Sequence, residues 1–351
     1  MAGRWSEGFE SHTNSSQLLR KYATLTGSIG VSAGRIRGNS GIINSLVAVT
    51  PSLGLANTWT LGWAIFVGVH EAQLSTDANG LYLERGTSEQ IHVEFESQSS
   101  SNKLKVKVKR GTTLLGETGF DFDLNSWHYF ELQATLDPTV GAWELKRGGT
   151  VLTGATGVNT AASGLAGADI FAFRFADNLT SVRFDDVYLL DSTGGIHDDY
   201  LGPQVIDPIV VTANGDTNQW TNDTPGPSSG NFDQVNDPGN AAPDDSGAGG
   251  TVSSGTVGQK ELYQMSDLVD VSGSVNFVMI GIQAAMATAG SRQLKLKFKD
   301  SVAGEADGDT FTVDQTNMDE FEGVLDINPA TAAPWTAAEI NAGQFGMEVV
   351  S

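Results

Sequence analysis

Cysteine is missing altogether from the 351 residues. Neither disulfides nor thiolate metal sites can contribute, so stability must come from packing within the chain or against neighbours. Basic residues are scarce: 20 Lys and Arg stand against 42 Asp and Glu, a formal net charge of −22. Phosphate neutralisation needs clustered cations, so this balance argues against direct nucleic-acid binding, and it also disfavours an anionic membrane surface. Long apolar runs are lacking too. The longest windows, Thr58 to Val69 and Val275 to Ala289, are too short and too interrupted to cross a bilayer, which excludes membrane insertion through a helix. The opening residues Met1-Ala2-Gly3-Arg4-Trp5-Ser6-Glu7 have no apolar core of a secretory signal, and synthesis and folding in a cytoplasm are expected. No heptad or long helical stripe appears.

What is present is glycine, 42 residues of it, between short apolar runs rich in Val, Ile, Phe and Trp. That composition predicts an all-β protein with many turns, and the length suits two domains. A cut at Pro203 leaves 15 basic and 21 acidic residues before it and 5 basic and 21 acidic after it, nets of −6 and −16. The expected domains are therefore 1–203 and 204–351. In the first, alternation places strands at Glu7 to Glu10, Ile29 to Ile36, Ile42 to Val49, Thr58 to Val69, Leu81 to Arg85, Ile91 to Ser97, Lys103 to Lys109 and Thr113 to Glu117. The series continues at His128 to Leu136, Trp143 to Lys146, Val151 to Thr153, Ile170 to Phe175 and Ser181 to Leu190, with a short helical turn over Ser15 to Tyr22. Spacings of about eight to twelve residues are those of a sandwich.

In the second domain, strands are expected at Val205 to Thr212, Glu261 to Gln264, Val275 to Ala287, Gln293 to Lys299, Thr310 to Val313, Phe321 to Ile327 and Phe345 to Val350. Residues 222–259, rich in Gly, Ser, Asp, Asn and Pro, read as a long excursion: a functional or partner-contacting segment, or a surface loop. Thr336-Ala337-Ala338-Glu339 is a capping box and predicts one short helix, to about Ala342.

The run Asn125-Ser126-Trp127-His128-Tyr129-Phe130-Glu131, then Trp143 to Arg147, the Gly148-Gly149 turn and Thr150 to Leu152, resembles the central strands of concanavalin-like, LamG-type β-sandwiches. Phe184-Asp185-Asp186-Val187-Tyr188-Leu189 matches the terminal F-D-D strand of such domains, which commonly lies beside the first strand. That resemblance puts Phe9 and Phe184 in one closing pair. With Gly8-Phe9-Glu10, Gly34-Arg35, Asp191 and Gly194, Leu201-Gly202-Pro203, Gln219-Trp220-Thr221, and Asn328-Pro329-Ala330-Thr331 running into Pro334-Trp335-Thr336, the whole resembles virion structural proteins of tailed bacteriophages. The fold class so implied is two jelly-roll-like β-sandwiches. The implied role is a non-enzymatic component displayed on the particle, as capsid decoration or a tail-associated fibre or adhesin. Its partners would be other virion proteins and copies of itself, and assembly would take place in the host bacterial cytoplasm. Many related sandwiches carry an Asp where this chain has Arg147-Gly148-Gly149, so a metal or sugar site there does not carry over.

Several constellations bear on chemistry. Glu94 with Glu96, and Asp121 with Asp123, share strand faces as glycosidase carboxylates do, but without the E-x-D-x-(x)-E run of sandwich glycosidases. The five histidines, His12, His70, His92, His128 and His197, show no zinc-ligand spacing. Asp307-Gly308-Asp309, and more weakly Asp244-Asp245 and Asp198-Asp199, read either as solvated acidic turns or as calcium loops. Lys103, Lys105, Lys107 and Lys109 on one strand, and Lys295, Lys297 and Lys299 on another, read as protection of sheet edges or as docking stripes for an acidic partner. Trp59, Trp63, Trp127 and Trp143 are expected in packed strands. Trp5, Trp220 and Trp335, near segment ends, are candidate interface or glycan contacts, the alternative function being a carbohydrate-binding module for host-surface polysaccharide and, ranked below it, a polysaccharide-degrading enzyme.

Overall fold

A computed structural model describes residues 3–9, 21–36, 39–68, 79–98, 100–175, 181–222, 230–235, 251–269 and 273–351. The chain divides into two compact units, Met1–Ile206 and Asp207–Ser351. Both are β-sandwich-like, and among the described residues one short α-helix stands against 23 strands, so the all-β expectation holds.

The strands of unit 1 are β1 (Gly3–Glu7), β2 (Thr24–Ala33), β3 (Asn39–Val49), β4 (Thr58–Val67), β5 (Asn79–Arg85), β6 (Ser88–Gln98) and β7 (Lys103–Arg110). They continue as β8 (Thr113–Glu117), β9 (Phe122–Asp123), β10 (Trp127–Thr135), β11 (Gly141–Arg147), β12 (Thr150–Val158), β13 (Ile170–Phe175) and β14 (Val182–Asp191). They form one hydrogen-bonded ribbon in the order β12-β11-β10-β4-β14-β3-β13-β5-β6-β7-β8, with β1 beside β14, β2 beside β3 and β9 beside β7. β3 is the corner: Gly41 and Ile42 pair with β14, whereas Val47 to Val49 pair with β13. A strand that serves two sheets lets the ribbon fold onto itself.

Aromatic contacts close the fold. Trp63 of β4 stacks on Phe130 of β10 at 5.8 Å and meets Phe95 of β6 edge-on at 6.3 Å. Phe184 of β14 touches Phe95 at 5.9 Å and Phe173 of β13 at 5.5 Å. Side chains from both limbs of the ribbon thus share one core. In β4, large residues alternate with small ones. Leu61, Trp63 and Ile65 enter the aromatic core, and Thr60, Gly62 and Ala64 lie on the other face, all of them buried. The small face makes room for a side chain of the neighbouring strand: a Cβ on Gly62 would run into the ring of Tyr188, its cross-strand partner on β14.

β1 pairs antiparallel with β14, from Gly3 opposite Leu190 to Glu7 opposite Val187. The first strand thus lies earlier than the expected Glu7 to Glu10. Phe9 is beyond it, in a left-handed conformation (φ 62°), with its ring against the backbone of Gly41 and 6.4 Å from Phe173. The expected turn over Ser15 to Tyr22 falls mostly outside the described residues, as does Glu10.

Unit 2 contains β15 (Val211–Asn218), β16 (Thr221–Asn222), β17 (Val252–Ser253), β18 (Lys260–Met265), β19 (Val278–Ala284), β20 (Arg292–Asp300), β21 (Gly304–Val313), β22 (Asp319–Leu325), α1 (Ala337–Ala342) and β23 (Gln344–Val349). A five-stranded sheet, β15-β18-β23-β20-β21, stands with the pairs β19-β22 and β16-β17. Leu294, Leu296 and Phe298 alternate along β20. The first two pack with Ile282 of β19, and Phe298 packs with Leu325, Trp335, Ile340 and Phe345. The capping box forms as expected: the Thr336 side chain accepts from Glu339 N–H, and the Glu339 side chain accepts from Thr336 N–H.

The strand expected over Val205 to Thr212 begins only at Val211. Residues 204–206 belong to unit 1, because Arg35 Nη2 donates to Gln204 O and Ile206 N–H donates to Asp186 Oδ1 at 2.9 Å. The boundary therefore falls after Ile206 rather than at Pro203. Of the excursion at 222–259, residues 223–229 and 236–250 lie outside the described residues. Asn231–Gln234 form a 3-10 turn and Val252–Ser253 the short β17.

Replacing Gly62 by Ala should destabilise unit 1 by about 1–3 kcal/mol, the usual cost of overpacking. Chemical denaturation followed by tryptophan fluorescence checks it.

Candidate functional site: a polar sheet face and a buried clasp

The face of β13-β5-β6-β7 that points away from the aromatic core is the densest collection of ionisable side chains in unit 1. Alternation builds it. Leu81 and Leu83, Ile91, Val93 and Phe95, and Leu104, Val106 and Val108 go inward, which turns Tyr82, Glu84, His92, Glu94, Glu96, Lys105, Lys107 and Lys109 the other way. The antiparallel register sets His92 opposite Lys109, Glu94 opposite Lys107 and Glu96 opposite Lys105.

Tyr82 and His92 stack at 4.4 Å. Arg174 binds Glu84 through Nε at 2.8 Å and Nη2 at 2.6 Å, and lies 5.7 Å from the Tyr82 ring centre. His92 Nδ1 lies 2.6 Å from Glu89 Oε1 and its Nε2 4.0 Å from Glu94 Oε2. Lys109 Nζ meets Glu94 Oε2 at 2.7 Å, and Lys107 Nζ meets Glu96 Oε2 at 2.7 Å and Glu94 Oε1 at 3.7 Å. Tyr82, Glu84, His92 and Glu94 are buried, whereas the side chains of Arg174 (37% exposed), Glu89 (34%) and Glu96 (27%) reach solvent.

The electrostatics follow from this circuit. Burial, then Glu89 and Glu94, hold the Tyr82 phenol well above its ordinary range, so it stays protonated and can donate. Burial alone would lower His92, but hydrogen bonds with Glu89 and Glu94 and their charges outweigh it and its pKa is raised. Burial would raise Glu94, but His92 and Lys109 bring it below the usual carboxylate range. Lys107 is lowered by burial yet raised overall by Glu96 and Glu94. The face is thus a neutralised network with a charged, accessible rim, able to hydrogen-bond hydroxyl- or carboxylate-bearing ligands at that rim.

The residues singled out from sequence take definite places. Glu94 and Glu96 are occupied by lysines and do not face each other across a cleft; Asp121 is exposed, and exposed Asp123 bonds Lys103 at 2.7 Å. Lys105 completes the first stripe, 3.4 Å from Glu117 and 4.4 Å from the Phe120 ring centre. β7 is flanked by β6 on one side and by β8 and β9 on the other. The first stripe is therefore not edge protection, because it belongs to an interior strand. The same correction applies to the second stripe. β20 lies between β21 and β23, Lys295 bonds Asp307 at 2.9 Å, Lys297 bonds Asp307 and lies 3.5 Å from Glu348, and Lys299 bonds Asp216 at 2.5 Å. With two ammonium groups on it, Asp307 is engaged before any cation arrives, and Asp309 follows it on β21. No group of three or more His, Asp or Glu suited to a metal occurs among the described residues. His12, His70 and Asp244-Asp245 lie outside them.

The tryptophans required correction as well. Trp5 (2% exposed) packs on Tyr22, Phe171 and Phe173, with Lys21 Nζ 5.0 Å from its ring centre. Trp335 (4% exposed) packs on Phe298 and Phe345 and donates to Leu325 O at 2.9 Å. Neither can offer its ring to a glycan or a partner in this fold. Trp220 is half-buried against the core of unit 2. Of the four expected in packed strands, Trp59, Trp63 and Trp143 are buried, and Trp127 is half-buried against Phe66 at 5.6 Å.

The motif residues converge. β14 bulges between Asp185 and Tyr188, and Asp186 takes φ 49°. Arg35 N–H donates to Asp185 Oδ2 at 2.6 Å, while its guanidinium lies 2.8 Å from Asp186 Oδ2 and 5.1 Å from the Tyr129 ring centre. Next to it, Glu131 accepts from Tyr188 Oη at 2.6 Å and from Gly202 N–H at 2.8 Å. Gly34-Arg35, the Trp127–Glu131 strand, Asp185-Asp186 and Leu201-Gly202-Pro203 thus form one clasp over residues 201–206. Burial, with the charge of Asp186, pushes the Asp185 carboxyl up to about 7. In unit 2, Glu261 Oε2 accepts from the N–H groups of Gln219 and Trp220, each at 2.9 Å. Asn328 Oδ1 caps Ala330 N–H at 2.9 Å. An open depression of about 490 Å³ in unit 2 is lined by Ala289, Gly290 and Asp314 to Asn317.

No family model matches the chain, and no curated protein does. Among solved structures, an alginate lyase aligns over 54% of this chain and 98% of its own length at 8% identity and a TM-score of 0.39. Domain 4 of an extracellular arabinanase from Geobacillus stearothermophilus, in complex with arabinotriose, aligns over 54% and 92% at 12% identity and 0.35. A carbohydrate-binding module from Bacillus subtilis aligns over 48% and 97% at 12% identity and 0.32. Similarities at this level carry no argument about activity or ligand.

Two outcomes test the electrostatics. Because the His92 pKa is raised in the fold, its stabilisation is full below about pH 6.5, the unfolded value, and is lost as pH rises through the folded value. Stability should therefore fall as pH rises above about 6.5, and His92→Gln should flatten that fall relative to the parent. Asp185, also raised, contributes a fall of the same sign in both proteins. Arg35→Met should cost about 3–5 kcal/mol in denaturant titration, since it leaves buried carboxylates without their cation.

Proposed function

We propose that the chain is a non-enzymatic structural component of a tailed-bacteriophage particle, displayed as capsid decoration or as part of a tail-associated fibre or adhesin, and that it works by subunit contact. One observation carries this reading: the residues on which the resemblance rests act as architecture. Arg35, Glu131, Asp185, Asp186 and Gly202 clasp unit 1, and the Gln219–Thr221 and Asn328–Trp335 segments are tied into unit 2 through Glu261, Leu325 and Phe298. The lysine stripes are neutralised within their own sheets. Loops and sheet edges are what remain for neighbouring subunits.

A second reading, a carbohydrate-binding module, is favoured by the polar face of unit 1. Arg174, Lys107 and Glu96 at its accessible rim offer cations and a carboxylate to a saccharide, and the buried Tyr82–His92 pair backs that rim.

Purified native particles settle the first reading. Mass spectrometry should find the chain at fixed stoichiometry, and antibody-labelled electron microscopy should place it on the surface. A chain abundant in the infected-cell lysate but absent from purified particles would overturn it. On a glycan array, the second reading expects hits that weaken at least tenfold with Arg174→Ala and Lys107→Ala; an array without hits removes it.

A further inference from the structure

β12 closes one end of the ribbon of unit 1, with β11 on one side and, among the described residues, no hydrogen-bonded strand on the other. An edge of this kind presents a row of backbone N–H and C=O groups, and such edges are ordinarily blunted by charges, proline or brevity. β12 has no charge and no proline, and although it bulges at Leu152 and Gly157, the stretch between them pairs regularly with β11. It is nine residues long, and from Gly148 to Ala168 the sequence contains no charged residue and no proline, in a chain with a net charge of −22. Val151 is 51% exposed and Leu152 36%, and Val140, 70% exposed, flanks the other end of the strand, where Gly141 pairs with Val158. Several other edges are guarded, although β2, uncharged and beside β3 alone, is not. β8, at the opposite end of the ribbon, has five residues and ends on Glu117, β21 carries Glu305, Asp307 and Asp309, and β15 carries Asp216.

We propose that β12 pairs edge to edge, antiparallel, with β12 of a second copy of this chain about a two-fold axis. The chemistry of the edge calls for a strand, and the charge identifies whose. Two copies of so acidic a protein repel wherever carboxylates would meet, and this strand is a long uncharged line of approach. A two-fold makes one patch its own complement. Antiparallel pairing centred on Gly154 sets Leu152 opposite the partner's Thr156, both exposed in the single chain, and continues the sheet across two subunits. The biological role of this pairing rests on the assembly reading; the pairing itself does not.

Sedimentation velocity of the full chain over a range of concentrations tests it. The parent should show a dimer fraction that rises with concentration. The double variant Leu152→Glu, Thr156→Glu faces like charges across the axis and should shift the dissociation constant at least tenfold toward monomer, with an unchanged thermal midpoint. Leu152→Lys, Thr156→Glu faces opposite charges and should keep the dimer, now weakened by salt. Thr26→Glu, on β2, another uncharged strand with a single neighbour, should leave it intact. A parent that stays monomeric at its highest soluble concentration, a dimer that survives the Glu–Glu variant, or one lost only with Thr26→Glu would overturn the proposal. A monomer found in particles would sink this inference and leave the assembly reading standing; a dimer absent from particles would do the reverse.

Discussion

Carboxylates taken out of water must be answered by cations or donors, and in unit 1 Arg35 answers both Asp185 and Asp186, with Ile206 N–H also donating to Asp186. The backbone and guanidinium of Arg35 reach both acids at the bulge of β14. The bulge is where β14 changes neighbours, from β3 at residues 183–184 to β1 at residues 187–190. The corner itself is β3, and across it the two limbs meet over Trp63, Phe95 and Phe184. A buried pair of this kind contributes little net stability against an apolar replacement, but it is strongly destabilising when one side is removed. What it fixes is geometry: which strand lies where, and where the chain leaves the unit.

The same logic governs the faces of the sheets. β4 is buried on both sides because its small residues are covered from the neighbouring strand, where Tyr188 lies across Gly62 with its hydroxyl held by Glu131. On the other limb, the acidic strand β6 lies against the basic strand β7, so that a chain short of cations spends several of them on its own carboxylates. The exposed members of this ladder add little each. The buried ones, His92 and Glu94, depend on their neighbours for their charge state.

Much of this was legible in the sequence. Alternation located β4, β6, β7, β10, β13 and β14 to within a few residues, and Thr336 with Glu339 announced α1. Strands written in Gly, Thr and Asp were not legible: β12 was seen over three residues and β21 over four, because backbone pairing rather than side-chain burial holds them. The junction was misplaced because Leu201-Gly202-Pro203 looks like a linker, while the acceptors that bind residues 202 to 206, Glu131 and Asp186, lie some 20 to 70 residues earlier. The tryptophans misled for a similar reason. Trp5 and Trp335 stand near segment ends in sequence, yet each is enclosed by aromatic rings brought from elsewhere. In the polar face, Lys105 and Lys107 were visible as a stripe, but their partners were not. Only the register of β6 against β7 joins Glu94 to Lys107, and only β13 beside β5 brings Arg174 to Glu84.

The closing pair of unit 1 has a mechanical consequence. β1 and β14 run antiparallel with Gly3 beside Leu190, so tension entering through β1 and leaving through residue 206 would peel them apart, one rung at a time, instead of shearing every rung together. Gly202, Gln204 and Ile206 stand in the way of that load. Their attachments to Glu131, Arg35 and Asp186 must give before the pull reaches Asp191, which makes the clasp a strain relief for the seam of the unit.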